Sequence, residues 1–140
     1  MSEGKRPGGL TALAVLNFVF GGLGALGLIA LFALLGVADS ASEGAVTAEI
    51  SKGSNAGLVW ISILLSAATV ALMITAGVGY LGQKRFLGRT IGNAYAVCSL
   101  AGTAIGLAVA SFGIGTLIGL IYPVLTLALI NGTFKDDLVN

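Results

Sequence analysis

The sequence predicts an all-α integral membrane protein, a bundle of four transmembrane helices, and three observations carry that expectation. Of the 140 residues, 56% are hydrophobic and 9% charged, against roughly 45–50% and about 25% in soluble domains. Four uncharged stretches, residues 10–37, 56–82, 90–111 and 114–131, are long enough for a hydrocarbon core of about 30 Å, which takes around 20 helical residues. The charged residues all fall outside these stretches, where the chain would meet water. The chain, 1–140, therefore reads as one integral membrane domain with a single long connection over residues 38–55.

The first span, Leu10–Val37, follows Lys5 and Arg6. A cleaved signal peptide would also begin with basic residues, but its apolar core runs only roughly 7–15 residues, so a retained helix is expected. The first two spans exceed the minimum length and should tilt or reach into the headgroup region. Gly21, Gly22, Gly24, Ala25 and Gly27 lie near mid-membrane, and Asn17 lies about two turns in from the basic end. An amide there is costly to leave unpaired in hydrocarbon. Asn93 opens the third span in the same leaflet, so a hydrogen bond between Asn17 and Asn93 is expected to tie those helices together.

The connection at 38–55 is small and polar, and its Ser42–Ser51 stretch can form a short surface helix, with Asn55 as N-cap of the second span. A solvated connector is the simplest reading of it. In the second span Ser62, Ser66, Thr69, Met73 and Tyr80 fall close to one face, and Trp60 marks the outer interface. These hydroxyls could line a polar path, but in such helices they more commonly bond the carbonyl four residues back or a neighbouring helix.

Small residues dominate the third span. Ala94, Cys98, Gly102, Gly106 and Ala110 recur every four residues, a pattern that lets another helix approach closely. That helix is either a second protein or, more simply, another span of this chain. A tight turn near Phe112–Gly113 should make the third and fourth spans antiparallel neighbours. The fourth carries a second small patch, Gly115 and Gly119, beside Pro123. Pro123 removes a backbone donor and frees the Gly119 carbonyl, predicting a kink. Asn131-Gly-Thr matches the N-glycosylation pattern, and its expected cytoplasmic side argues against modification. The tail from Lys135 to Asn140 is expected simply to return the chain to water.

Basic residues give the orientation. Lys5 and Arg6, then Lys84, Arg85 and Arg89, then Lys135 share one side, against Lys52 alone on the other. Because Lys and Arg in short loops stay cytoplasmic, both termini are expected inside.

What is missing excludes several functions. With one cysteine and no histidine, thiol oxidation through cysteine pairs, bis-histidine haem ligation and zinc or copper sites all lack their ligands. No cofactor or metal is expected. A net charge of +1 gives no reason to expect nucleic acid. Proton-coupled transporters keep an ionisable group in the membrane, and the spans hold none. Small four-helix multidrug exporters are similar in size but depend on a glutamate in the first helix, which this chain lacks. No acid, base or metal cluster suggests catalysis either.

The opening Lys5-Arg6-Pro7-Gly8-Gly9-Leu10-Thr11-Ala12-Leu13-Ala14-Val15-Leu16-Asn17-Phe18 resembles the start of many small uncharacterised bacterial four-helix membrane proteins. The likeness covers the first helix. It implies a bacterial inner-membrane setting and transfers no functional residue. The expectation is a non-catalytic membrane subunit whose partners are lipid and other membrane subunits or its own copies, with helix packing as its mechanism. The alternative is a passive channel or carrier for a small neutral or hydrophobic solute.

Overall fold

In the computed structural model, which describes residues 7–53, 56–109 and 113–138, every regular element is helical. In chain order these are α1 (Gly8–Ala41), the short α2 (Ala45–Lys52), α3 (Ala56–Leu81), α4 (Ile91–Val109) and α5 (Ile114–Ala128). Two π-helical stretches extend them, Arg85–Thr90 leading into α4 and Leu129–Thr133 continuing α5. Four helices, α1, α3, and α4 and α5 with these extensions, are long and apolar enough to cross a membrane. The protein is a multi-pass, all-helical membrane protein. Ala110, Phe112 and Asn55 lie outside the described residues.

α1 has 34 residues, about 51 Å at the α-helical rise, so its last turns pass the apolar run that ends at Val37. It stops in a Schellman turn: Glu43 takes a left-handed φ of 53° and the Gly44 N–H reaches the Asp39 carbonyl at 2.8 Å. The Asp39 carboxylate then accepts the Thr47 N–H at 2.9 Å and the Thr47 hydroxyl at 2.7 Å, which fastens α2 to the end of α1. Those donors, the backbone N–H first, hold the Asp39 carboxyl below its ordinary value. A depressed carboxyl stabilises above its unfolded pKa and stops doing so as pH falls through the folded one. The protection of the Thr47 amide, the factor by which it exchanges more slowly than a free amide at the same pH, should therefore fall in acid, and should fall at neutral pH in Asp39→Asn, as read by hydrogen–deuterium exchange.

α3 ends in a second Schellman turn, with Gln83 at φ 50° and the Lys84 N–H on the Gly79 carbonyl at 2.9 Å. The chain then folds back so closely that a Cβ on Gly79 would overlap the Leu87 and Gly88 backbone. Glycine is the residue that permits this reversal.

At this end of the bundle the core gathers Leu10, Leu13 and Ala14 of α1, Ala76 and Tyr80 of α3, and Ile130, Phe134 and Leu138. The tail thus departs from its expected return to water. Phe134 lies on Gly9, and Leu138, 2% exposed, packs on Gly88. The charges at Lys135–Asp137 face outward on a turn while the apolar residues on either side close the bundle from below. The basic connection and the two ends of the described chain therefore share one end, and α2 lies at the other.

The helices pack in the order α1, α3, α4, α5. Gly21 and Gly24 admit Ile74 and Val70, where a Cβ would meet either side chain at 2.8 Å. Towards the α2 end α1 turns apolar side chains outward: Leu23, Leu26, Ile29, Phe32, Leu34 and Val37 are all more than half exposed, as lipid-facing positions are.

Candidate functional site

The buried polar centre of the bundle forms around Asn17. Its Nδ2 donates to the Met73 carbonyl at 3.1 Å, and the Tyr122 hydroxyl donates to its Oδ1 at 2.5 Å. One amide thereby joins α1 to α3 and α5 and leaves neither its donor nor its acceptor side bare, which is what hydrocarbon demands of it. Gly77 lets α1 come this near: a Cβ there would stand 3.3 Å from the Asn17 Cβ.

The expected pair between Asn17 and Asn93 does not form. Asn93 instead meets Asn131, whose Nδ2 donates to its Oδ1 at 2.8 Å, with the reverse bond at 3.3 Å. Asn131 also donates to the Leu127 carbonyl and accepts Arg89 Nε. The physical reason is depth: Asn93 stands one to two turns nearer the basic end, where the π-helical end of α5 presents a matching amide. Asn131, part of the glycosylation pattern, is thus committed to internal bonds.

Aromatic rings surround the Asn17 node. Phe20 meets Tyr122 edge-on with centroids 5.0 Å apart, and Tyr95 lies 6.3 Å from it. Beside them is a crevice of about 240 Å³, lined by Phe20, Thr69, Met73, Tyr95, Ser99 and Tyr122 among others. It adjoins a wider groove of about 370 Å³ along the α1–α5 seam, lined by Phe20, Ile114, Leu117, Ile118, Ile121, Tyr122 and Leu125. An amide, hydroxyls and rings can hold a polar group by hydrogen bonding or pack an apolar one. Among the described residues, no carboxylate, amine or imidazole lines either space.

Pro123 lies inside α5, which continues as a helix from Ile114 to Ala128. The Gly119 carbonyl that it frees is met from α4 by the Thr103 hydroxyl at 3.2 Å, which also lies 2.9 Å from the Ser99 carbonyl. One hydroxyl proton serves both. Gly119 makes that possible, because a Cβ there would stand 2.6 Å from Thr103 Oγ1. Gly119→Ala should therefore lose about 1–3 kcal/mol, as overpacking does, and lose less in a Thr103→Ala background. Reversible unfolding in mixed micelles checks both.

The small stripe of α4 is only partly used within the chain. The face that α4 buries carries Gly92, Tyr95 and Ala96, displaced around the helix from Ala94 and Cys98, which stay half-buried. A Cβ on Gly102 would stand 3.5 Å from the Leu65 side chain of α3, and one on Gly106 would meet nothing within 4 Å. The four-residue repeat drifts around a helix of 3.6 residues per turn, so it does not stay on one face. Ala110 and the surroundings of Gly115 lie outside what the structure describes.

The hydroxyls of α3 bond within their own helix. Ser62 donates to the Val59 carbonyl, Ser66 to Ser62 and Thr69 to Leu65, each at 2.7 Å. Tyr80 is different. Its ring is fully buried and its hydroxyl, pressed on Gly92, has no hydrogen-bond partner among the described residues. An unmade bond of this kind costs about 1–3 kcal/mol, so Tyr80→Phe should preserve or raise the midpoint of unfolding.

Sequence reasoning missed Tyr95 and Tyr122. The available signal was their polar tips in otherwise apolar spans, since a buried tyrosine hydroxyl usually finds a partner. No protein-family model, curated protein or solved structure matches this chain.

Proposed function

We propose that the protein is a non-catalytic subunit of the bacterial inner membrane that acts by helix–helix packing, as an accessory or structural component of a homo-oligomer or larger complex, with its basic end cytoplasmic. The observation that carries this reading is the α1–α5 seam. Side chains around Asn17, Phe20 and Tyr122 bridge the two helices, and beside that bridge runs the apolar groove of about 370 Å³. A partner helix would fill it, and Gly106 leaves room on α4 for a second contact. Cysteine cross-linking in native membranes tests the proposal, with Ile118→Cys placed in a Cys98→Ser background. Covalent adducts at Ile118→Cys that disappear with a cysteine on lipid-facing Leu34 are expected. A chain that is always alone, by cross-linking and by mass in mild detergent, would sink it.

The crevice beside Thr69 and Ser99 favours a second reading, a carrier for a small neutral or hydrophobic solute. Leu10, Leu13, Phe134 and Leu138 close the basic end of the bundle, which places this reading second. Solute flux into reconstituted vesicles that is abolished by Ser99→Leu would promote it.

A further inference from the structure

At the basic end, three cations from two separate places in the chain converge on one pocket. Arg85 opens the π-helical stretch before α4, Arg89 follows it by four residues, and Lys135 comes from the turn beyond α5. Together with Asp136 and Leu138 they line a space of about 370 Å³. Among the described residues the lining holds three positive groups and one carboxylate, so with Asp136 fully paired two of those positive charges are left uncompensated. Leu138, 2% exposed, belongs to the packed core, so the pocket has a rigid apolar wall.

We propose that this pocket binds the phosphate group of an anionic phospholipid. Arg89 is already oriented for it: Nε donates to Asn131 Oδ1 at 3.3 Å, and Asn131 is held in turn by Asn93 and the Leu127 carbonyl. The outer nitrogens of its guanidinium remain for the oxygens of a phosphate, to which that planar fork is matched. The depth is also that of a headgroup, because the apolar run of α3 ends at Leu81 and the pocket begins four residues later. Phe86, beside Arg85, is 65% exposed and supplies an aromatic ring at the boundary where such rings settle in membranes. Basic pockets at the ends of transmembrane helices are suited to anionic headgroups. The site lies away from the α1–α5 seam and does not depend on assembly.

The test uses the full chain in mild detergent, with bound ligand counted by native mass spectrometry. Dioctanoyl phosphatidylglycerol should bind at least about tenfold more tightly than dioctanoyl phosphatidylcholine, as two uncompensated cations imply. Arg85→Gln should weaken it about fivefold, and Asp136→Asn should strengthen it by a similar factor. The second variant guards against a fold defect, since a damaged protein would not bind more tightly. If glycerol 3-phosphate competes at the same concentration as phosphatidylglycerol, the phosphate chemistry stands and the ligand is a soluble phosphate. Equal binding of the two lipids, or phosphatidylglycerol binding that neither variant alters, overturns the proposal.

Discussion

Gly79→Ala should cost about 3 kcal/mol or more, at or beyond the usual upper end for overpacking. The added Cβ would overlap the backbone of Leu87 and Gly88 and stand 2.6 Å from the Leu87 carbonyl oxygen. Backbone cannot rotate out of the way as a flexible side chain can. Moving it would pull the Arg85–Thr90 stretch off α3 and disturb the Lys84 bond to Gly79 that closes the helix. Folded yield in detergent and the midpoint of unfolding should both fall sharply. Gly57→Ala in the same helix is the control, because a Cβ there meets nothing within 4 Å. It should be neutral or gain up to about 1 kcal/mol from helix propensity.

Asn17→Ala should lose about 2–4 kcal/mol. Two terms add: the buried space left by the amide, and the Tyr122 hydroxyl left without an acceptor in hydrocarbon. Tyr122→Phe removes the second partner while keeping the ring against Phe20, and should lose about 1 kcal/mol, within the range of interhelical hydrogen bonds in membranes. In the double variant the Tyr122→Phe loss should largely vanish. Unfolding of the four proteins measures the coupling, and strictly additive losses would show that the 2.5 Å contact contributes nothing. The same variants bear on the seam: Asn17 and Tyr122 bridge α1 and α5, so breaking the bridge should also raise cross-linking or exchange along α1.

The Gly119 carbonyl shows how far a local rule carries. Pro123 frees that oxygen by its chemistry alone, and this was readable from the sequence. That Thr103 would answer it was not, because two helices must first be placed side by side. Asn17 repeats the point: its need for partners followed from residue type and depth, whereas the identity of Met73 and Tyr122 depended on how α1, α3 and α5 rotate about their axes. The expected Asn93 partner shared a leaflet with Asn17 but not its depth. The small stripe of α4 failed in a related way, since sequence spacing gave a repeat without saying which side faces α3.

Charge behaved similarly. A net charge of +1 over 140 residues gave no reason to expect nucleic acid, yet folding brings Lys135 to Arg85 and Arg89 at a pocket whose described lining has a single carboxylate, Asp136. Leu138 was masked by its charged neighbours, because alternation within a turn can bury one residue and hydrate the one before it.

By itself the sequence determined the all-α class, the four spans and the gathering of basic residues between them. Those features depend on what lipid demands of each segment separately: apolar length, internal backbone bonding and charge kept out of hydrocarbon. Only the tertiary structure decided which amide meets which, where the tail packs, and that the α1–α5 seam stays wide. In a membrane, lipid is as apolar as a leucine face, so hydrophobic pattern does not orient one span against another. Close packing at glycines such as Gly77, Gly79 and Gly119, and hydrogen bonds around Asn17, Thr103 and Asn131, set that orientation instead.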